Sequence, residues 1–343
     1  MADFTPGETG TDEVLFARDG VLGRVLLNRP RTINSLTREM VVAVRVQLEA
    51  WADDDAIAAV SLEGAGERGL CAGGDIRAVR DADLAGTTGG VDFWADEYVL
   101  DAQIAEYPKP VIAIMDGVVM GGGLGISMFA DARWTTERTK VAMPETKIGF
   151  FPDVAATYLL SRAPGELGTH LALTGATVTG ADAVHLGLAD CVIDAASVSE
   201  RLAAIAAGGP VEAVPEEGTD EGSVLAGARS WADECYAGDD PAAILARLQG
   251  HPEPDAQAAG AEMTQRSPLS VAVALEALRR AADAGSVREV LEMDTTVSAH
   301  LLERSDFAEG VRALLVDKDH QPRWEHAGLD EVSRDEVLAL FAR

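Results

Sequence analysis

The feature that most constrains this chain is an apolar run that ends in consecutive glycines. Residues 111–119 are almost wholly apolar, and Met120-Gly121-Gly122-Gly123 follows them directly. An apolar run, a glycine cluster and a second apolar periodic segment predict a buried strand, a tight turn and a helix. Glycine lets the main chain approach a ligand, and a helix N-terminus carries unpaired N–H groups. The turn therefore predicts a site for a negative oxygen.

The same glycine turn is also compatible with tight packing or with a phosphate cradle, and these interpretations stay open at this point. Three familiar patterns are excluded. A P-loop needs Gly-Lys-Ser/Thr, and a dinucleotide turn needs a glycine where Ile126 stands. A serine-hydrolase elbow needs a second glycine after Ser127, which Met128 and Phe129 follow instead. What remains is a turn that supplies backbone amides.

A second strand is predicted to end in glycines at Leu70-Cys71-Ala72-Gly73-Gly74-Asp75. An oxyanion hole usually takes two N–H donors from separate segments, so two such turns suit chemistry at a carbonyl group. Cys71 is conceivable as a nucleophile, but no histidine lies near it in the sequence. A small buried residue at the end of a strand is the favoured interpretation.

Two carboxylates lie in an apolar, aromatic and proline-containing stretch, residues 144–153. Burial of Glu145 and Asp153 there would raise their pKa values and favour acid–base or nucleophilic chemistry. The alternative is that both are cap residues, with Asp153 preceding a helix predicted over residues 154–160. Glu97 lies on a helix predicted over residues 94–107, where a glutamate is usually a solvated surface charge.

Composition limits the partners. A formal net charge of −29 repels nucleic acid and anionic membranes, so neither is expected to bind. No apolar run reaches the roughly 20 residues of a membrane-spanning helix. The unpaired-looking cysteines (Cys71, Cys191 and Cys235) and the lack of a cationic, apolar opening segment favour a reducing cytoplasm. His170 and His185 have no partner at metal-ligand spacing, so no metal site is predicted.

The chain is predicted to have an α/β front and a helical back. Residues 195–260 are acidic, with clusters at residues 215–218 and 238–241, which predicts an exposed, loop-rich region that acts as a hinge. The predicted domains are residues 1–200 and residues 201–343.

These motifs resemble those of the crotonase (enoyl-CoA hydratase/isomerase) superfamily, and within it those of a thioester hydrolase branch. The resemblance covers most of the chain. It implies a spiral of repeated ββα units that binds acyl-CoA, with a mainly helical C-terminal extension packed on it. The motifs are Cys71-Ala72-Gly73-Gly74-Asp75-Ile76, Met120-Gly121-Gly122-Gly123, Ala142-Met143-Pro144-Glu145-Thr146, Phe151-Pro152-Asp153-Val154, and residues 306–313 and 316–324.

The resemblance also implies roles for individual residues. The backbone N–H groups of Gly74 and Gly122 would form an oxyanion hole for the thioester carbonyl of an acyl-CoA. Glu145 and Asp153 would be catalytic, and Glu97 would bind the substrate together with Gly122, Glu145 and Asp153. No separate cofactor is expected, because coenzyme A is part of the substrate. Members of the superfamily often form trimers or pairs of trimers, so a homo-oligomer is expected.

The implied activity is hydrolysis of a short 3-hydroxyacyl-CoA thioester. The expected substrate is 3-hydroxyisobutyryl-CoA, which would give 3-hydroxyisobutyrate and CoA in valine catabolism. The second glutamate of the hydratases would fall at Gly125, and thioester hydrolysis needs only one carboxylate at the acyl carbon. An enoyl-CoA hydratase or isomerase and a non-catalytic CoA-binding protein are the alternatives. One departure from the family pattern is Ala155-Ala156-Thr157, where the hydrolases have glycines.

Overall fold

The computed structural model describes residues 3–214 and 222–342. The acidic cluster at residues 215–218, part of the predicted hinge, lies outside the described residues. Contacts group the chain into two compact units. Unit 1 comprises Met1–Asp75, Asp96–Val141 and Val178–Ser223, and unit 2 comprises Ile76–Ala95, Ala142–Thr177 and Val224–Arg343.

The predicted division at residue 200 is not the division that the contacts give. A helix at residues 198–206 belongs to unit 1, where the Val21 N–H donates to the Ala206 carbonyl at 3.0 Å. Residues 142–177 belong to unit 2, where their helices pack on a long helix at residues 268–283. Each unit is therefore assembled from separated stretches of sequence, which a single cut cannot describe.

The strands of the described residues form two sheets, with the orders β1-β2-β3-β4-β6-β9 and β5-β7-β8. In the larger sheet β1 is antiparallel to β2, and every later neighbouring pair is parallel. The strands are β1 (Val14–Asp19), β2 (Leu22–Leu27), β3 (Ala59–Gly64), β4 (Val111–Met115), β5 (Val118–Met120), β6 (Ala132–Thr136), β7 (Lys140–Ala142), β8 (Val178–Thr179) and β9 (Cys191–Ile193).

Helices connect the strands and make up most of the chain after residue 197. They are α1 (Arg38–Ala52), α2 (Ile76–Leu84), α3 (Gly89–Ala105), α4 (Gly122–Gly125), α5 (Ala156–Leu160), α6 (Leu167–Thr174), α7 (Gly180–His185), α8 (Val198–Ala206), α9 (Arg229–Cys235), α10 (Pro241–Gly250), α11 (Pro254–Met263), α12 (Pro268–Asp283), α13 (Val287–Leu302), α14 (Ser305–Val311) and α15 (Arg334–Leu340). Within the described ranges, no helix combines the length and apolar character needed to cross a membrane.

The core of unit 1 lies on its parallel sheet. Strand β4 is buried along its whole length, as expected for an interior parallel strand. Helix α1 begins where Thr37 accepts a hydrogen bond from the Met40 N–H, and every residue that this helix buries is apolar. Strands β4 and β5 lead into α4, a ββα order that agrees with the predicted repeated unit.

The prediction of a loop-rich region at residues 195–260 was wrong. Helices α8, α9 and α10 and most of α11 lie within it. Asp240 caps α10 by accepting hydrogen bonds from the Ala242 and Ala243 N–H groups, and Pro241 is the first residue of that helix. Proline fits the first helical position and aspartate the N-cap, so this acidic Asp-Pro pair marks the start of a helix.

Candidate active site

The Gly74 turn lies in unit 1 beside Leu36. The Leu36 N–H donates to the Gly73 carbonyl at 2.8 Å, and the Asp75 N–H donates to the Leu36 carbonyl at 2.8 Å. Both bonds of this parallel bridge therefore use the groups that flank Gly74. The Gly74 N–H takes part in neither bond, so it faces the other edge of this segment.

The Gly122 turn depends on glycine. Gly121 has φ 50° and ψ −125°, which favours glycine, and Gly122 is the first residue of α4. The N–H of a first helical residue has no acceptor within its own helix. A Cβ built on Gly73 would lie 3.7 Å from the Gly122 nitrogen and 3.2 Å from the Met120 carbonyl oxygen. Unit 1 therefore brings the two predicted glycine turns together.

Glu97 lies beside Gly122 in the same unit. The Glu97 residue is only 2% exposed, so the expectation of a solvated surface glutamate was wrong. A Cβ on Gly122 would lie 3.2 Å from the Glu97 carboxyl carbon and closer still to its Oε1. Glycine at position 122 thus leaves room for the Glu97 carboxyl group against the turn.

Cys71 is a structural residue of this turn. It is fully buried, and burial raises the pKa of its thiol to about 12. The thiolate is the reactive form of cysteine, so a thiol with this pKa stays protonated and unreactive at neutral pH. This agrees with the interpretation of Cys71 as a small buried residue rather than as a nucleophile.

Glu145 lies in unit 2, at the first position of a 3-10 turn, Glu145–Ile148. The residue is 7% exposed, and its carbonyl oxygen accepts a hydrogen bond from the Phe150 N–H at 3.0 Å. The following carbonyl, that of Thr146, accepts from the Ser267 N–H at 3.2 Å. The backbone that carries the Glu145 side chain is therefore fixed on both sides.

Helix α14 packs directly on the backbone of this turn. Gly149 has φ 75°, and a Cβ there would lie 2.7 Å from the Phe307 nitrogen. A Cβ on Gly310 would lie 2.6 Å from the Ile148 Cα. Real Cβ atoms do not come so close to backbone, so glycine is required at both contacts. The C-terminal helices thus hold the Glu145 turn in place.

Four aromatic side chains pack together at the segment from Glu145 to Asp153. The rings of Trp94 and Phe150 stack with centroids 4.5 Å apart and planes inclined by 7°. Phe307 meets both of these rings at 5.6 Å, and Phe151 lies 5.3 Å from Phe150. Packing of this kind excludes water and limits movement of the backbone.

Asp153 is not the N-cap residue of the helix that follows it, so that alternative was wrong. Helix α5 begins at Ala156, and its N-cap is Ala155. Val154 and Ala155 both adopt left-handed backbone conformations, with φ 52° and 57°, which shortens the predicted helix. The Asp153 residue itself is 4% exposed.

A buried acid that sequence analysis missed adjoins this turn in unit 2. Asp294 is completely buried, and its Oδ2 accepts a hydrogen bond from the Ala155 N–H at 2.8 Å. The sequence carries one signal for it, because α13 has an apolar face that Asp294 interrupts. Unit 1 therefore groups Gly74, Gly122 and Glu97, whereas Glu145, Asp153 and Asp294 belong to unit 2.

We expect the Gly310→Ala variant to unfold more easily than the wild type. The added methyl group would collide with the Ile148 main chain, and overpacking of this kind costs about 1–3 kcal/mol. The midpoint of thermal unfolding measures the loss. Gly250→Ala is the matched control, because a Cβ there meets nothing within 4 Å. An equal midpoint for Gly310→Ala and Gly250→Ala would contradict the tight contact.

Curated relatives match along nearly the whole chain. A model of the enoyl-CoA hydratase/isomerase family matches residues 22–341. A relative from Rattus norvegicus is 35% identical over 97% of this chain and 89% of its own length. One from Homo sapiens is 33% identical over 96% of this chain and 88% of its own length. Both are named mitochondrial 3-hydroxyisobutyryl-CoA hydrolase.

Solved structures match as extensively. A protein from Mycobacterium thermoresistibile, named carnitinyl-CoA dehydratase, is 46% identical, with a TM-score of 0.93 and 97% of each chain covered. A Rhodobacter sphaeroides protein named enoyl-CoA hydratase is 36% identical, with a TM-score of 0.90 over 96% of this chain and 97% of its own. The predicted fold class is confirmed. Because the family model matches most of this chain, the chain belongs to the enoyl-CoA hydratase/isomerase (crotonase) family.

Proposed function

We propose that this chain is an acyl-CoA thioester hydrolase that acts on a short 3-hydroxyacyl-CoA, with 3-hydroxyisobutyryl-CoA as the substrate. The observation that carries the proposal is the buried Glu145 carboxyl group on a turn that α14 fixes, in a chain with no acid at Gly125. The names of the curated relatives support the same reaction and substrate. Valine catabolism is the pathway that this substrate implies.

The reaction adds water to the acyl carbon and breaks its bond to sulfur. In the first step, the carbonyl oxygen becomes negative while it accepts hydrogen bonds from the Gly74 and Gly122 N–H groups. Glu145 either attacks the acyl carbon to form an anhydride or removes a proton from the attacking water. On the first route, water then hydrolyses the anhydride, which releases the 3-hydroxy acid and restores the Glu145 carboxylate. The CoA sulfur leaves with the electrons of the broken bond and takes a proton. By the family resemblance, Asp153 and Glu97 would contact the hydroxyacyl end and help to place that proton.

Hydration of an enoyl-CoA is the second candidate function, because two similar solved structures are named dehydratase and hydratase. Adding water across a carbon–carbon double bond uses an acid and a base on the substrate. Gly125 supplies neither, so Asp153 or Glu97 would have to replace the missing carboxylate. Hydrolysis needs no such replacement and is the function that the residues favour.

One experiment on purified enzyme separates the candidates. We expect 3-hydroxyisobutyryl-CoA to release free thiol, and crotonyl-CoA to keep its double-bond absorbance. If crotonyl-CoA loses that absorbance without thiol release, the enzyme is a hydratase and the proposed hydrolysis is contradicted. If CoA binds saturably but no short acyl-CoA is turned over, the chain is a non-catalytic CoA-binding protein.

The oligomeric state and the compartment are further parts of the proposal. We propose a homo-oligomer, either a trimer or a pair of trimers, which light scattering on the purified protein tests. We also propose action in the cytoplasm. The free, buried thiols of Cys71, Cys191 and Cys235 suit a reducing compartment, although the curated relatives are named mitochondrial. Cell fractionation with an antibody to the native chain tests this.

A further inference from the structure

Helix α13 carries a carboxylic acid in the middle of its apolar face. Val290 and Leu291 precede Asp294 on this face, and Val297 and Leu301 follow it at helical spacing. All of these residues are buried, and Asp294 has no exposed surface. Burying a carboxylate without a compensating charge is strongly unfavourable. A residue of this kind at a core position calls for a specific reason.

The Asp294 carboxyl group contacts the backbone next to Asp153. Its Oδ2 accepts the hydrogen bond from the Ala155 N–H, and its Oδ1 has no hydrogen-bond partner among the described residues. Burial and the negative charge of Asp153 raise the pKa of Asp294 well above its usual range. When two carboxyl groups share a dry environment, one of them keeps its proton. The raised pKa favours a protonated Asp294.

The backbone that Asp294 contacts is strained. Val154 and Ala155 are consecutive residues with positive φ, a conformation that is unfavourable for residues with a Cβ. Valine is β-branched and is rare there. Such a turn persists only where surrounding contacts hold it, and the hydrogen bond from Ala155 to Asp294 is a contact that does so.

We propose that Asp294 is a positioning residue, whose side chain holds the turn at Val154 and Ala155 so that Asp153 faces the acyl group of the substrate. This inference rests on the proposed function for the identity of the substrate. The contact between Asp294 and the turn does not depend on it. In this arrangement Asp294 touches neither the substrate nor the reacting atoms and acts through the backbone that it holds.

The test compares two substitutions of the same residue. Asp294→Asn keeps a carbonyl oxygen for the Ala155 N–H and resembles the protonated acid in shape, so kcat is expected within about threefold of the wild type. Asp294→Ala removes the acceptor and leaves a buried N–H without a partner. A turn displaced by about 1 Å costs up to about 100-fold in rate. We expect Asp294→Ala to lose about 10- to 100-fold in kcat, with KM changed by less than about threefold.

A control separates positioning from general loss of stability. Val297→Ala removes apolar volume from the same face of α13. The valine side chain cannot form a hydrogen bond with the turn, so this substitution removes packing alone. If Val297→Ala lowers the melting temperature as much as Asp294→Ala but keeps kcat, the loss in Asp294→Ala is specific. The proposal is overturned if Asp294→Ala keeps kcat within about threefold, if Asp294→Asn is as impaired as Asp294→Ala, or if Val297→Ala loses kcat equally.

A second readout needs no substrate. Infrared spectra of protein with isotope-labelled aspartate at pH 7 are expected to contain the band of a buried, protonated carboxyl group, and Asp294→Asn is expected to lack it. If the wild type releases no thiol but this band is present and disappears in the variant, the proposed function fails while the state of Asp294 stands. Absence of the band in the wild type overturns the protonated state inferred for Asp294, whatever the enzyme hydrolyses.

Discussion

The Glu145→Gln variant is expected to release thiol from 3-hydroxyisobutyryl-CoA about 1,000-fold more slowly than the wild type. The amide has the size of the acid, but it neither attacks the acyl carbon nor accepts a proton from water, and such groups contribute about 10²- to 10⁴-fold. The fixed backbone of the 3-10 turn keeps the substituted side chain in the same place. The loss should therefore appear in kcat, with KM nearly unchanged, when thiol is measured under steady-state conditions.

A second buried glutamate in unit 2 provides the control. Glu276 is 6% exposed and forms ion pairs with Arg280 and Arg334, so it is as buried as Glu145. Glu276→Gln makes the same chemical change at a distance from the Glu145 turn along α12, and it should lower stability without lowering kcat. Retention of more than a tenth of the wild-type kcat by Glu145→Gln would remove Glu145 from the mechanism. If both variants lose kcat equally, the loss comes from lower stability and not from the chemistry of Glu145.

Local signals in the sequence were sufficient for the central elements of unit 1. The buried strand β4 and the glycine turn before α4 both have residues that specify them within a few positions. The pairing of the two glycine turns followed from a chemical argument about oxyanion holes, and Gly73 does approach Gly122. These features are encoded over short separations, which is why sequence analysis finds them.

Long-range contacts explain what sequence analysis missed. The hydrogen bond from Ala155 to Asp294 joins residues 139 positions apart, and no local pattern predicts it. The left-handed conformations of Val154 and Ala155 oppose the preferences of their residue types, so only the surrounding structure specifies them. The helices of residues 195–260 were missed because this region is rich in acids, glycines and prolines, which usually indicate loops. Some of these residues instead mark helix ends, as Asp240 and Pro241 do for α10.

The Gly122→Pro variant is expected to lose about 100- to 1,000-fold in kcat relative to Gly122→Ala, the loss expected when one oxyanion donor is removed. Both substitutions add a Cβ that meets the Glu97 carboxyl group, so both include the same steric cost. Only proline lacks the N–H group. Thiol release from 3-hydroxyisobutyryl-CoA measures kcat for the two variants side by side.

This comparison depends on the position of Gly122 in its helix. Gly122 is the first residue of α4, where proline is well accommodated because its N–H is not needed for the helix. The preceding Gly121 has no Cβ to clash with the proline ring. Equal melting temperatures would confirm that both variants fold alike, and the ratio of their kcat values would then report the N–H group alone. A ratio near one would exclude the Gly122 amide as an oxyanion donor, because nothing else that differs between the two variants touches the carbonyl oxygen.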